Sequence, residues 1–333
     1  MKEKEQHINS NFKVIRYCPL KNKAWNAFVS NSKNATFLFH RDFMEYHQDR
    51  FEDFSLMVYQ KEKLVALLPA NRKGNELHSH QGLTYGGLVL PKNIRFKNVL
   101  HSFEMLLKFL HEQNISTLYI KEMPSIYHQI PSDEIHYLNF ILNAELIRRD
   151  TLSVIDNLNK LKFSGSRVEG IKRAEKHGLR IENDDDFEAF WDRILKPNLN
   201  EKYKVNPVHS LEEILYLKQR FPKNIKQFNV YHEKSVVAGA TIFETKHVAH
   251  CQYISGNKDK NTLGSLDALH NYLITTVYAN KRYFDFGASN ENGGRNINAG
   301  LQFWKEGFGA RTRTQDFFKI ETKNYNALKT VLK

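Results

Sequence analysis

The chain lacks most of what easily recognised chemistries need. Two cysteines, Cys18 and Cys251, stand in 333 residues, too few for a disulfide framework and without the spacing of a zinc or redox motif. There is no G-x-S-x-G elbow, no C-x-x-C pair and no Walker loop, so nothing points to a serine hydrolase, a dithiol exchanger or a P-loop nucleotidase. No apolar run reaches the roughly 18 residues of a membrane span, and no early run has the length of a secretion signal. These absences imply a cytoplasmic chain in a reducing compartment. Histidine is plentiful, but His78-x-His80 and His247-x-x-His250 have no further spaced ligands and fall in strand or turn patterns, so no metal site is expected.

What is present is length, apolar content and positive charge. A chain of this size expects about two ordinary domains, and 41% hydrophobic residues suffice for real cores. Lys and Arg number 49 against 37 Asp and Glu, a net of +12 that suits acidic partners such as tRNA, nucleotides, coenzyme A or a nucleotide-linked sugar. The densest cluster is Lys160–Arg180, with Lys160, Lys162, Arg167, Lys172, Arg173, Lys176 and Arg180 against only Glu169 and Glu175. Val168, Ile171 and Ala174 give this segment a helical period ending at Gly178. Lys172 and Lys176 then share a face, with Arg173 beside them, in position to bind phosphate.

An internal repeat sets the architecture. Val58-Tyr-Gln-Lys-Glu-Lys-Leu-Val-Ala66 and Val230-Tyr-His-Glu-Lys-Ser-Val-Val-Ala238 are nearly one string, and each reads as a β-hairpin. An amphipathic helix follows each hairpin, carried by Leu100, Phe103, Leu106, Leu107 and Leu110 in the first half and by Leu266, Leu269, Leu273 and Val277 in the second. A strand comes next in both, Thr117–Lys121 and Arg282–Phe286. Two copies of one α/β unit are expected, residues 1–155 and 156–333, with the junction after a strand over Ala144–Ile155. In the second copy, Asp184–Asp186 cap a helix containing Phe187, Phe190, Trp191 and Ile194. Ser210-Leu-Glu-Glu213 is a capping box whose helix stops at Phe221-Pro222.

Residues 284–311, FDFGASNENGGRNINAGLQFWKEGFGAR, concentrate glycine, asparagine and charge beyond any need of a core. The apolar strand around Tyr283, Phe284 and Phe286 ends at Gly287, a polar loop turns at Gly293–Gly294, and a helix starting near Asn296 or Asn298 carries Leu301, Trp304 and Phe308 to Gly309. A helix amino end therefore stands beside Asp285, Ser289, Asn290 and Arg295.

This stretch resembles the fDFG-S-x-E…lN-x-GL-x-x-fKe-x-FG element of FemAB-like proteins, tandem relatives of the GNAT acyltransferases, at Asp285, Gly287, Ser289, Asn298, Gly300, Leu301, Lys305, Gly307, Phe308 and Gly309. Similar text recurs at Leu67–Ala70, Ser79–Gly87, Pro124–His128, Pro131–Glu134, the KRAEK segment and Pro207-Val-His-Ser210, so the resemblance spans nearly the whole chain. It implies an α/β (α+β) fold of two tandem GNAT-like domains, each a mixed, mostly antiparallel sheet flanked by helices. It also implies that the sheet splays between central strands to admit an acyl donor. The implied activity is N-acyl transfer to an amino group of a cell-envelope precursor, an amino sugar or a peptidoglycan peptide. An aminoacyl-tRNA-dependent peptidyltransferase and a non-catalytic nucleic-acid or nucleotide-sugar binding protein are the alternatives. The active site is expected in the second copy, the first being degenerate because it lacks the Gly/Asn-rich loop.

Acyl transfer to an amine requires a held carbonyl, donors to its oxygen and a proton acceptor, and neither a metal nor a protein nucleophile. The candidate acceptors are Asp285 and His209, with Glu134 in the first copy, and Tyr253 is a hydrogen-bonding candidate for the leaving group. Ser289, Asn290, Arg295, Asn298, Lys305 and Tyr203 are candidates to line the substrate site. Arg167, Lys172, Arg173, Lys176, Gly264 and Ser265 are the candidates for the donor's phosphates. Gly264 and Ser265 stand in an incomplete version of the GNAT pyrophosphate loop, so the co-substrate is read as acyl-CoA with aminoacyl-tRNA as the alternative.

Overall fold

The computed structural model describes residues 11–333, except for the side chain of Tyr203. The chain divides into two compact units, one of residues up to Arg149 together with Gln315–Lys333, the other Asp150–Thr314.

In the first unit the strands are β1 (Phe12–Arg16), β2 (Glu52–Asp53), β3 (Leu56–Gln60), β4 (Lys63–Leu68), β5 (Asn71–Lys73), β6 (Glu76–His78) and β7 (Thr117–Lys121). Strands β1, β3 and β4 form an antiparallel sheet, while β2, β5 and β6 pair antiparallel in turn and β6 pairs parallel with β7. The crossover from β6 to β7 is the helix Phe96–Glu112. Its Val99, Leu100, Phe103, Leu106, Leu107 and Leu110 are buried at 0–1% exposure, each such side chain contributing about 1.5–3 kcal/mol.

Strand β8 (Glu145–Asp156) leads into the second unit, which holds β9 (Arg180–Glu182), β10 (Ile225–His232), β11 (Ser235–Glu244), β12 (Val248–Gly256), β13 (Tyr283–Ala288) and a short ladder of β14 (Asn290–Glu291) with β15 (Asn296–Ile297). Strands β9 to β12 pair antiparallel in sequence order, β12 pairs parallel with β13, and the crossover between those two is the helix Ser265–Tyr272 and its continuation to Val277. The last strand is β16 (Arg311–Glu321).

The hairpins of the two units match in detail. The β3–β4 register slips between Val58 and Tyr59, and the β10–β11 register slips between Val230 and Tyr231. Lys61 and Glu233, three residues past the matching valines, both turn with φ 54°. One irregularity at one offset is what a repeated unit requires.

The division corrects the boundary read from sequence at residue 155. Each unit is completed by a strand from the other copy: β8 pairs with β13 from Leu152 to Asp156, and β16 pairs with β7 from Phe317 to Glu321. The local readings hold. Asp186 caps its helix by accepting from the Ala189 N–H, Ser210 and Glu213 form the capping box, and Gly178 turns with φ 64° after the helix Gly165–Lys176.

Candidate functional site

Strands β12 and β13 pair only at Val248–Tyr283, Ala249–Phe284 and His250–Asp285, yet β12 runs on to Gly256 and β13 to Ala288. The two strands part at the His250–Asp285 pair. Each is irregular just beyond it. On β12 the pairing to β11 steps from Cys251 to Tyr253, so Gln252 bulges; on β13 the pairing to β8 shifts between Asp285 and Ala288, and Gly287 turns at φ +71°. Phe284, Phe286, Ala249 and Cys251 belong to the apolar core, so His250 and Asp285 lie on the other face of these strands.

At the fork, His250 Nδ1 lies 3.0 Å from Asp285 Oδ2, and the Gly287 N–H donates to Asp285 Oδ1 at 2.7 Å. Asp285 is 1% exposed, so it orients the imidazole and the strand end and does not meet solvent. The Lys305 Nζ donates to Gly287 O at 3.0 Å and Ala288 O at 2.8 Å, and the residue is buried. Burial pulls its pKa down to about 8, against the opposing pull of Asp285 and Cys251. Burial pushes the Cys251 thiol up, so it is not a thiolate nucleophile.

Local sequence explains how Lys305 arrives there. Asn298 caps the helix Ala299–Glu306 by accepting from the Leu301 N–H at 3.0 Å, and its own N–H donates to Ser289 O at 2.8 Å. Asn290 pins the loop by accepting from the Thr151 N–H at 2.7 Å and hydroxyl at 3.0 Å. The helix therefore begins where β13 ends, and its second turn delivers the lysine to the fork. Ser289 is 3% exposed, and its Oγ has no hydrogen-bond partner among the described residues.

Three residues past His250, the Tyr253 hydroxyl accepts from the His209 N–H at 3.1 Å and lies 2.7 Å from His209 Nδ1. The Trp191 Nε1–H donates to His209 O at 3.1 Å. Burial raises the pKa of Tyr253 and keeps the phenol protonated. His209, read from sequence as a loop residue and candidate proton acceptor, is buried and hydrogen-bonded to Tyr253 through both its N–H and Nδ1.

Other expected residues fall elsewhere. Glu134 forms an ion pair with buried Lys33 in the first unit. Arg295 is exposed, and Tyr203 closes a helix with its side chain outside the described residues. Lys172, Arg173 and Lys176 are exposed on their helix and take no salt-bridge partner among the described residues. Arg167 turns inward, its Nη1 donating to Asp267 Oδ1 at 2.6 Å, which removes it from the phosphate set. Gly264 and Ser265 are also corrected. A Cβ on Gly264 would stand 2.0 Å from Gly170 O, and Ser265 is fully buried, so this helix start is sealed by the neighbouring helix and offers no open cradle for a coenzyme A pyrophosphate.

The first unit shows the same lattice position without the fork. His78 pairs with Tyr119 where His250 pairs with Asp285, and the rings stack at 4.7 Å. Beyond them the gap is stitched shut. The Lys121 N–H donates to Ser79 Oγ, the Gly86 N–H donates to Lys121 O, and Gly86 bridges to Glu122. A Cβ on Gly86 would stand 1.6 Å from Ser79 O, so only glycine permits this closure.

No family model matches the chain. No curated protein matches it in sequence. Solved structures do match in shape. FemX is 11% identical with a TM-score of 0.64, over 93% of this chain and 98% of that one. The chain has a FemAB-like fold. The C-terminal domain of a putative lysylphosphatidylglycerol synthetase from Agrobacterium fabrum shares the FemAB-like fold at 13% identity and TM-score 0.55, over 79% and 84% of the two chains. So does L-PGS from Bacillus licheniformis, at 13% and 0.53, over 92% and 93%. Among the described residues no helix is long and apolar enough to cross a membrane, and no group of three or more His, Cys, Asp or Glu is placed to hold a metal.

Proposed function

We propose that this chain is an acyltransferase that moves an acyl or aminoacyl group from an activated carrier to an amine of a cell-envelope precursor, with the chemistry at the β12–β13 fork. The observation that carries this reading is the parting of the two strands at a hydrogen-bonded His250–Asp285 pair, with the Lys305 amine tied to the strand end beside it. The likeness to FemX and to lysylphosphatidylglycerol synthetase supports the class of reaction.

A carboxylate only accepts hydrogen bonds, so the proton between Asp285 and His250 sits on Nδ1 and leaves Nε2 as the basic nitrogen. The acceptor amine attacks the carrier's ester carbonyl, forming the C–N bond, and Nε2 takes the amine proton. Negative charge on the carbonyl oxygen is met by the Lys305 ammonium. Collapse breaks the bond from carbonyl carbon to carrier oxygen, and the proton passes from His250 to that oxygen. A positioned base contributes about 10²–10⁴ in rate and a preorganised charge about 10²–10³.

For the carrier we infer aminoacyl-tRNA in preference to acyl-CoA, reversing the order read from sequence. The sealed Gly264–Ser265 helix start does not fit a coenzyme A pyrophosphate, and the exposed Lys172, Arg173 and Lys176 suit an extended phosphate backbone. The test supplies radiolabelled acetyl-coenzyme A or charged aminoacyl-tRNA, each with a pool of amine-bearing envelope precursors. Transfer from tRNA that is lost in His250→Gln supports the reading. Transfer from coenzyme A alone overturns the choice of carrier, and salt-sensitive tRNA binding without any transfer overturns the enzyme.

A further inference from the structure

Asp267 joins three helices through one oxygen. It is the third residue of the helix Ser265–Tyr272 and is 7% exposed. Its Oδ1 accepts from Arg167 Nη1 of the helix Gly165–Lys176 at 2.6 Å and from Trp304 Nε1 of the helix Ala299–Glu306 at 3.0 Å. Its Oδ2 lies over Gly170, where a Cβ would stand 1.8 Å away, so the absent side chain at 170 lets the carboxylate fit between the helices.

Both contacts lead to places the proposed chemistry uses. Trp304 precedes Lys305, and its indole packs against the rings of His270 at 4.9 Å, Phe308 at 5.2 Å and Phe286 at 5.7 Å. Apolar ring contacts let a helix rotate or slide slightly; a directed indole N–H bond to a buried carboxylate does not. One residue on, Lys305 reaches Gly287 O and Ala288 O at the end of β13. On the other side, Arg167 belongs to the helix whose outer face carries Lys172, Arg173 and Lys176. The field of Arg173 also reaches Asp267.

We infer that Asp267 is a positioning residue: through Trp304 it fixes the turn that holds Lys305 at the fork, and through Arg167 it ties that turn to the basic helix. The inference rests on the role of Lys305 in the proposed transfer. Its test needs no turnover, so its failure is separable from a failure of the transfer reading.

The experiment is brief reductive dimethylation of the full chain, with labelling of each lysine read by mass spectrometry. In the parent protein Lys305, 2% exposed, labels slowly. Asp267→Asn keeps an oxygen for one donor but loses the charge, and Trp304→Phe removes the indole donor while keeping a ring. Loss of a charge-assisted bond raises labelling at Lys305 by about tenfold to a hundredfold in both variants. Lys33, the other deeply buried lysine among the described residues and in the first unit, stays at its parental rate. Unchanged Lys305 labelling in both variants overturns the inference, as does an equal rise at Lys33, which would mean general loosening. Where transfer is measured, Asp267→Asn lowers kcat with little change in the KM for the carrier; an equal rise in that KM with kcat intact overturns the positioning role.

Discussion

Replacing Gly170 by alanine sets two effects of opposite sign against each other. In a helix interior alanine is ordinarily favoured over glycine by about 0.5–1 kcal/mol. Gly170 lies within the helix Gly165–Lys176, so propensity alone predicts a stabilised protein. Packing predicts the reverse. The new Cβ would stand 1.8 Å from Asp267 Oδ2, 2.6 Å from its Cγ and 2.8 Å from its Cβ, and that carboxylate cannot swing aside because Arg167 and Trp304 hold it. Overpacking costs about 1–3 kcal/mol, and loss of a buried charged hydrogen bond about 1.5–3 kcal/mol more. The net is a destabilisation of about 1.5–5.5 kcal/mol. For a unit of this size each kcal/mol lowers Tm by about 2–4 °C. Calorimetry should therefore find a clear drop for Gly170→Ala. Gly165→Ala, in the same helix with nothing near its Cβ position, should stay level or rise. A Tm for Gly170→Ala at or above that of the parent would refute the packing argument.

Further outcomes follow from the site. His270 is fully buried, donates from Nδ1 to Leu266 O, and is held by burial at about pKa 4. An unfolded histidine binds its proton near pH 6.5, so stability is complete above that pH and falls by up to about 3 kcal/mol on the way to pH 4. Denaturant midpoints should show the slope, and His270→Leu should reduce it. Asp285→Asn keeps an oxygen for the Gly287 N–H but loses the charge that orients His250, and steady-state transfer should fall by about 10²–10⁴ with the fold retained by circular dichroism. Lys305, held near pKa 8, should make transfer decline above about pH 8 as the ammonium is lost; a pH profile of Lys305→Arg, where that variant turns over, should lack the decline. Joint reversal of Lys172, Arg173 and Lys176 to glutamate should weaken tRNA binding and reduce its slope of log affinity against log salt by about 2–3.

Features fixed by neighbours in the chain were readable before the structure. Asn298 as a cap, the Ser210–Glu213 box and the twin hairpins depend on spacings of a few residues, and the Asp285–Lys305 stretch announced itself by composition. What the sequence hid depends on distant register. His250 stood in an ordinary alternating strand pattern, and its value appears only when β12 and β13 pair so that it meets Asp285, 35 residues on. Arg167 read as a phosphate ligand because its partner lies 100 residues away in another helix. Gly264 and Ser265 looked like a partial cradle because no local signal reveals that Gly170 covers them. In the first unit, closure of the gap by Gly86 was equally silent, although the absence of a second Gly/Asn-rich loop already suggested an inactive copy.

The exchange of β8 and β16 sets an order of events during synthesis. As the chain emerges, β7 is made early but its antiparallel neighbour, Phe317–Glu321, follows the second unit in sequence, so one edge of the first sheet stays open while the whole second unit is being made. The second unit has its closing strand, Leu152–Asp156, in hand from the start. The half made second can therefore finish first, and the half made first stands with an unpaired edge, the state most open to wrong partners, until Phe317–Glu321 has been made.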